Sequence, residues 1–185
     1  YEGYWQGIAV HNGDPMADST YDVGMAPYIG GYPSGMVDRG PEADPMGVGT
    51  PTSFKDEFLQ RIIVEPKGII TNGAKLTANT LEVNLTVDFQ NSVSGNYKLA
   101  CVLVEDSVTG TDNGYIQANA YTGGGSGSLI DVDGSDWANK PSSVPAAIMV
   151  YRHVARGIAP SFTGGPLANT SYNSGDSETL CFEFT

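Results

Sequence analysis

Positive charge is scarce in this chain. Nine Lys and Arg stand against 21 Asp and Glu among 185 residues, so the formal net charge is -12 at pH 7. A surface of this sign repels phosphate groups, which argues against nucleic acid as a partner. No apolar run approaches the roughly 18 residues of a membrane-spanning helix. We therefore expect membrane association only through an anchor upstream of Tyr1.

Catalytic signatures are also missing. The sequence contains neither GxSxG nor HExxH, and no pair of carboxylates has a setting that requires acid–base chemistry. Its two histidines, His11 and His153, fall short of the three or so protein ligands of a zinc site. We expect a protein that is not an enzyme and has no cofactor, with structural roles for both histidines.

Cysteine is nearly absent, and Cys101 and Cys181 form the one intrachain disulfide that the sequence allows. Export to an oxidising compartment favours the bridge. The hydrophobic pattern argues both ways, because Cys181 faces away from its apolar neighbours whereas Cys101 lies in a stretch that is apolar on both faces. Both outcomes stay open.

Glycine and proline are abundant, and they set the expected fold class. The chain has 24 Gly and 11 Pro, while 16% of its residues are charged, a composition typical of many short strands and turns. We expect an α+β, mainly β chain with an α/β segment at 1–63 and an antiparallel, Ig-like β-sandwich at 64–185.

In the first segment, a short apolar strand is expected at Trp5–Val10 and a weak helix at Ala17–Met25. The best helix is predicted at Thr50–Ile63, where Thr50 can cap the helix N-terminus and Pro51 suits the first helical position. Its apolar residues fall on one face: Phe54, Phe58, Leu59 and Ile62.

In the second segment, strands are predicted from hydrophobic alternation. Apolar and polar residues alternate strictly at 81–89, as in a strand with one buried face. Lys98–Val104 is apolar on both faces, as in a central strand. Two further strands are predicted at Ala146–Val154 and Thr179–Thr185. The last one directs three side chains inward: Leu180, Phe182 and Phe184.

Several motifs occur in the order that one bacterial family shows. They are VLVEDSV at 102–108, Tyr115-x-Gln117, Tyr121 with its glycine-rich tail, and Tyr151-x-His153-Val154-x-Arg156. Over nearly its whole length the chain resembles the Omp-twenty-eight-related outer membrane proteins of Bacteroidetes. The resemblance implies that residues 1–63 are the remainder of a thioredoxin-like domain and that a β-sandwich follows.

The first segment supports this resemblance. IAVHNGDPM at 8–16 looks like the second strand of a thioredoxin-like domain, and Gly31-Tyr32-Pro33-Ser34 looks like its cis-proline loop. Pro33 is therefore the candidate for a cis peptide bond. The strand and helix that would carry a redox CxxC precede the start of this chain, so thiol-redox chemistry would require that motif upstream of Tyr1.

Charged residues surround two of these motifs. Glu105 and Asp106 follow the predicted central strand, while Arg152 and Arg156 flank His153. Since arginine pairs well with carboxylates, we expect an ion pair between one of these acids and one of these arginines. The favoured role of these residues is a structural ion pair that links two strands, and the alternative is a ligand-binding pocket.

The acidic loop at 128–137 raises the question of calcium. Asp131, Asp133 and Asp136 could supply some of the roughly six to eight oxygens that Ca²⁺ requires, but the spacing departs from the EF-hand pattern, which favours a solvated turn. Short modification signals also occur. Asn84 and Asn169 begin N-glycosylation sequons, and Ser19 and Ser107 fit the O-glycosylation signal of bacteria in the resembled group.

Three classes of function remain. The first is an exported cell-surface or outer-membrane-associated module for adhesion, assembly or ligand display. The second is a subunit of an extracellular filament, since a β-protein with an open position accepts a strand from a neighbour. The third is the remnant of a thioredoxin-like redox protein. We expect protein partners or self-association, with carbohydrate as a further candidate because aromatic residues flank the glycine-rich loop.

Overall fold

The structure is a computed structural model that describes residues 3–43, 53–124 and 128–185. Antiparallel strands dominate it and its helices are short, which confirms the prediction of a mainly β chain. No helix in these three ranges has the length and apolar character needed to cross a lipid bilayer.

The chain divides into two compact units, and their boundaries differ from the predicted division at residues 63 and 64. The first unit comprises Tyr1–Gly7, Asp18–Leu103 and Gly157–Thr185; the second comprises Ile8–Ala17 and Val104–Arg156. Within the second unit, Ala9 forms a parallel bridge with Val154. Of the strand predicted at Trp5–Val10, which lies within the described residues, Ala9 alone takes part in strand pairing.

Two helices belong to the first unit, α1 at Ser19–Met25 and α2 at Phe54–Arg61. The Ser53 hydroxyl caps α2 by accepting a hydrogen bond from the backbone N–H three residues further on, at 3.2 Å. The helix predicted at Thr50–Ile63 is therefore shorter than expected and has a different cap. Three residues of that prediction lie outside the described residues: Thr50, Pro51 and Thr52.

The described residues contain eleven strands. In chain order they are β1 Gly68–Leu76, β2 Leu81–Phe89, β3 Val93–Ser94, β4 Lys98–Leu99, β5 Cys101–Glu105, β6 Gln117–Ala118, β7 Ser143–Val144, β8 Val154–Ala159, β9 Gly165–Pro166, β10 Ser171–Tyr172 and β11 Ser177–Phe184. One sheet has three strands in the order β1-β2-β11, and its neighbouring strands are antiparallel. The others pair two by two: β3 with β10, β4 with β9, β5 with β8 and β6 with β7.

The core of the first unit is built on β2, whose bounds match the predicted alternation at 81–89. Its odd-numbered residues from Val83 to Phe89 are buried. The ring of Phe89 stacks on Tyr172 with a centroid distance of 4.2 Å. The inward-facing residues predicted for the last strand all contribute to this core: Leu180, Phe182 and Phe184.

Two other strand predictions need correction. The strand predicted at Lys98–Val104 is split into β4 and β5. The strand predicted at Ala146–Val154 is wrong, because Ala146–Ile148 forms a 3-10 turn. There the Met149 N–H donates locally to the Ala146 carbonyl at 3.1 Å instead of pairing with a strand. β8 begins where the predicted strand ends.

A separate core fills the second unit. Its buried members are Met16, Val144, Met149, Tyr151 and Val154. Tyr115 and Trp137 pack against this cluster, and the Tyr151 hydroxyl donates to the Tyr115 carbonyl at 2.9 Å. Two of the aromatic residues near the glycine-rich loop therefore close this core.

Candidate functional site

The most exposed part of the three-stranded sheet is β1. It pairs with β2 along its whole length, from Gly68 opposite Phe89 to Leu76 opposite Leu81. Every β1 residue after Gly68 is nevertheless exposed to solvent. A strand of this length is ordered by its backbone ladder to β2 and not by burial of its own side chains.

One face of β1 continues the buried face of β2. Residues that lie opposite each other across an antiparallel pair direct their side chains to the same face, so Ile70 shares a face with Val87 and Asn72 with Leu85. Ile70 is 58% exposed, whereas Val87 is 9% exposed. We call this part of β1 the open face, and it consists of Ile70, Asn72, Ala74 and Leu76.

The open face is apolar at its two ends. Leu76 is 78% exposed although it lies opposite Leu81, which packs against the core of the first unit. Natural sheets protect exposed edges with charges or proline, but the open face has neither. The charge on β1 belongs to Lys75, which points to the opposite face. The open face is therefore an extension of the core that the described residues leave uncovered.

The backbone of β1 also has an open edge. At its two ends, the Gln90 N–H donates to the Lys67 carbonyl at 3.0 Å and the Thr77 N–H donates to the Thr80 carbonyl at 2.9 Å. Hydrogen-bonded pairs alternate along an antiparallel ladder, so odd-numbered residues of β1 bond to β2. The even-numbered residues, including Ile70 and Asn72, direct their N–H and C=O groups away from the sheet. In the described part of the chain, no strand pairs with this edge.

An open edge beside an apolar face is the arrangement that receives an added β-strand. The new strand supplies main-chain hydrogen bonds, and its side chains pack beside those of β1 on each face of the sheet. The sequence reasoning missed β1, because Ile69 and Ile70 are adjacent and Gly73 interrupts the alternation. The β-branched run Ile69–Thr71, placed shortly before the strongly alternating β2, is the signal that could have indicated a hairpin.

The charged residues selected from the sequence form surface contacts. Arg156 Nε lies 3.2 Å from Glu105 Oε2. Asp106 pairs with His153 instead of an arginine, accepting from its backbone N–H at 2.7 Å and lying 3.1 Å from its Nδ1. Among the described residues Arg152 joins no ion pair. All four paired side chains are more than a third exposed, so the expected ion pair, formed by Glu105 of β5 and Arg156 of β8, links the two paired strands at the surface.

The two cysteines are free thiols, and the disulfide considered from the sequence is not formed. Cys101 is buried in the core of the first unit, and burial raises the pKa of its thiol. Cys181 is exposed on β11, next to the buried Phe182. Because successive strand residues face opposite sides, the β11 thiol points away from the core that contains Cys101.

The carboxylates of the acidic loop, considered from the sequence as calcium ligands, are hydrogen-bonded within the loop. Asp131, Asp133 and Asp136 each accept a hydrogen bond from a backbone N–H of the same loop. The Ala138 N–H also donates to Asp136 and holds the pKa of that carboxyl below its ordinary value. Across the described ranges no group of three or more His, Cys, Asp or Glu side chains is placed to hold a metal ion. The carboxylates stabilise the turn itself.

The remaining residues selected from the sequence lie at the surface. The Tyr32–Pro33 peptide bond is cis, and Pro33 is exposed. The four modification candidates are also exposed: Ser19, Asn84, Ser107 and Asn169. His11 is held by Asp14, with 2.6 Å between Nδ1 and Oδ2.

Comparisons with protein-family models, with curated proteins and with solved structures return no match. The function must therefore be inferred from the geometry of β1 and from the chemistry of its neighbours.

Proposed function

We propose that this chain is a non-enzymatic, exported surface protein that assembles with a second copy of itself through β1. The observation that carries the proposal is the open face, where Ile70 and Leu76 are 58% and 78% exposed on a surface continuous with the core. Packing of side chains across the new strand pair, together with hydrogen bonding of the open edge, supplies the favourable free energy of assembly.

The sequence of β1 suits pairing with its own copy. In an antiparallel arrangement centred on Asn72, the two Asn72 side chains lie opposite each other and can exchange amide hydrogen bonds. Ile70 then lies opposite Ala74, so a large side chain meets a small one. Lys75 lies opposite Ile69 on the other face, and no like charges are opposed. Cross-strand pairs of this kind are favourable.

The symmetry of the contact decides between two forms of assembly. Pairing of β1 with β1 uses the same surface on both copies and closes as a dimer. If another segment of the second copy occupies the β1 edge, the contact repeats without closing and produces a filament. The filament subunit is therefore the second candidate function, and it rests on the same open edge.

Family, fold and localisation belong to the same proposal. We infer membership of the Omp-twenty-eight-related proteins and an extracellular or outer-membrane location from the order of the sequence motifs. An Ig-like β-sandwich at 64–185 and a partial thioredoxin-like segment are inferred with it. The antiparallel, mainly β fold supports these inferences. The redox alternative requires a CxxC motif upstream of Tyr1, because Cys101 and Cys181 are too far apart in sequence to form one.

The test compares lysine substitutions on the two faces of one strand. Ile70→Lys places a charge on the open face, whereas Thr71→Lys places the same charge on the opposite face at an exposed residue that lies opposite Gly73 of the second copy. Sedimentation velocity over a range of protein concentrations reports the assembly state, and electron microscopy distinguishes dimers from filaments. We expect Ile70→Lys to abolish association and Thr71→Lys to retain it.

A second pair of variants tests the backbone edge. Asn72→Pro removes an N–H that points away from β2 and should leave the β2 ladder intact, because proline is tolerated at such edge positions. Asn72→Ser keeps the N–H and is the matched control. We expect Asn72→Pro alone to block association. A wild-type chain that is monomeric at every concentration would refute the proposal.

A further inference from the structure

A second surface of the first unit is organised around Phe162. This residue is buried, and its ring lies 5.6 Å from that of Tyr21 and 5.5 Å from that of Tyr28, measured between centroids. Gly24 of α1 fits closely against it, since a Cβ atom at Gly24 would lie 2.2 Å from the Phe162 Cβ. The ring of Phe162 is therefore held in one position by α1 and by two tyrosines.

Arg39 is fixed on this ring. The centre of its guanidinium group lies 4.4 Å from the Phe162 centroid, a distance suited to a cation–π contact. Its Nη1 also donates to the Phe162 carbonyl. Two contacts with one residue hold the guanidinium group in place before any ligand arrives, which reduces the entropy cost of binding.

Arg39 has no carboxylate partner within ion-pair distance among the described residues. Glu42, an acid close to it in sequence, is already engaged by the Gly30 N–H and the Ser34 hydroxyl. The described residues therefore leave N–H donors of the guanidinium group for an anion from outside.

Two clefts meet at this cluster. One has a volume of about 400 Å³ and is lined by four hydroxyl side chains, those of Ser19, Thr20, Ser161 and Thr163. The other has a volume of about 260 Å³ and is lined by Tyr28, Met36 and Arg39. Phe162 and Thr163 line both clefts. Their combined volume lies within the range of ligand sites in other proteins, about 300–1,000 Å³.

The chemistry of the lining favours one class of ligand. Hydroxyl side chains both donate and accept hydrogen bonds, which suits the hydroxyl groups of a sugar. Tyr28 is 55% exposed and offers an aromatic surface for the apolar face of a sugar ring. The planar guanidinium group of Arg39 can bind a carboxylate through two parallel hydrogen bonds. We propose that this surface binds an acidic oligosaccharide, with a uronic acid carboxylate on Arg39 and neighbouring sugar hydroxyls in the larger cleft.

The test uses tetragalacturonate as the acidic probe and its fully methyl-esterified form as the neutral control. Isothermal titration calorimetry of the intact chain should detect binding of the acid and much weaker binding of the ester. Arg39→Gln should weaken binding of the acid by about tenfold or more, since hydrogen bonds to charged groups are strong. Arg152→Gln removes the same charge from a residue outside the ion pairs and should bind like the wild type.

A second variant separates recognition of the charge from recognition of the sugar ring. Tyr28→Ala should weaken binding of both the acid and the ester, whereas Arg39→Gln should affect the acid alone. Circular dichroism and thermal unfolding check that both variants are folded. Absence of binding of tetragalacturonate to the wild type would overturn the proposal, as would equal affinity of wild type and Arg39→Gln. So would binding of a peptide with a free C-terminal carboxylate in place of the sugar.

Discussion

Two leucines on the same face of one sheet should respond differently to truncation. Leu85 of β2 is 8% exposed and belongs to the core, whereas Leu76 of β1 is 78% exposed. Leu→Ala at a buried site costs about 2–5 kcal/mol, because contacts and apolar burial are lost and a cavity is left. The same change at an exposed site stays within about 0.5 kcal/mol. We expect Leu85→Ala to be strongly destabilising and Leu76→Ala to be almost neutral.

Thermal unfolding at micromolar protein concentration measures this difference. For a chain of this size a loss of 1 kcal/mol lowers Tm by about 2–4 °C, so a mid-range loss of about 3 kcal/mol at Leu85 corresponds to roughly 6–12 °C. The low concentration matters, because assembly through β1 would stabilise the folded chain by mass action. Similar losses in the two variants would refute the reasoning, since they would mean that the chain itself covers the open face of β1.

Three further outcomes are expected. An alkylating reagent should modify Cys181 in the native protein and Cys101 only after unfolding, because burial raises the pKa of the Cys101 thiol. Mass spectrometry counts the adducts, and modification of both cysteines at equal rates under native conditions would contradict this expectation. Arg156→Ala should lower the free energy of unfolding by about 1 kcal/mol or less, as for other exposed ion pairs, and a loss of several kcal/mol in urea unfolding would show that the pair is shielded from water. Asp136 has a depressed pKa in the folded state, so its ionised form stabilises the turn above its unfolded pKa of about 3.9. That contribution is lost as the pH falls through the folded pKa, and Asp136→Asn should therefore flatten the acid limb of a stability-against-pH curve.

The sequence predicted the strands in which every second side chain is buried, because that burial leaves an alternating hydrophobic pattern. Strict alternation at 81–89 identified β2, because every second side chain of that strand is buried in the core. Leu180, Phe182 and Phe184 were identified for the same reason. The pattern at Ala146–Val154 misled, because apolar residues that serve a 3-10 turn resemble those of a strand over a short window.

Neither candidate site could be predicted in this way. The open face of β1 is exposed because no other described segment packs on it, and the residues Ile69–Leu76 do not themselves indicate whether another segment does. The Arg39 contact joins residues 123 positions apart, and no local pattern links an arginine in a turn to a distant phenylalanine. The sequence did indicate assembly and carbohydrate as classes of partner, but it attached carbohydrate to the aromatic residues near the glycine-rich loop. Tyr115 and Trp137 of that set instead pack on the core of the second unit.

The negative charge of the chain determines how association through β1 depends on salt. A net charge of -12 makes two copies repel each other, so association requires a surface where apolar burial and backbone pairing outweigh that repulsion. The open face of β1 meets this requirement because it carries no acidic residue. The Debye length falls from about 30 Å at 0.01 M salt to about 8 Å at 0.15 M, so added salt screens the repulsion while leaving the apolar contact intact. Association through β1 should therefore strengthen as salt is added, whereas an interface held by ion pairs would weaken, and sedimentation velocity at the two salt concentrations distinguishes them.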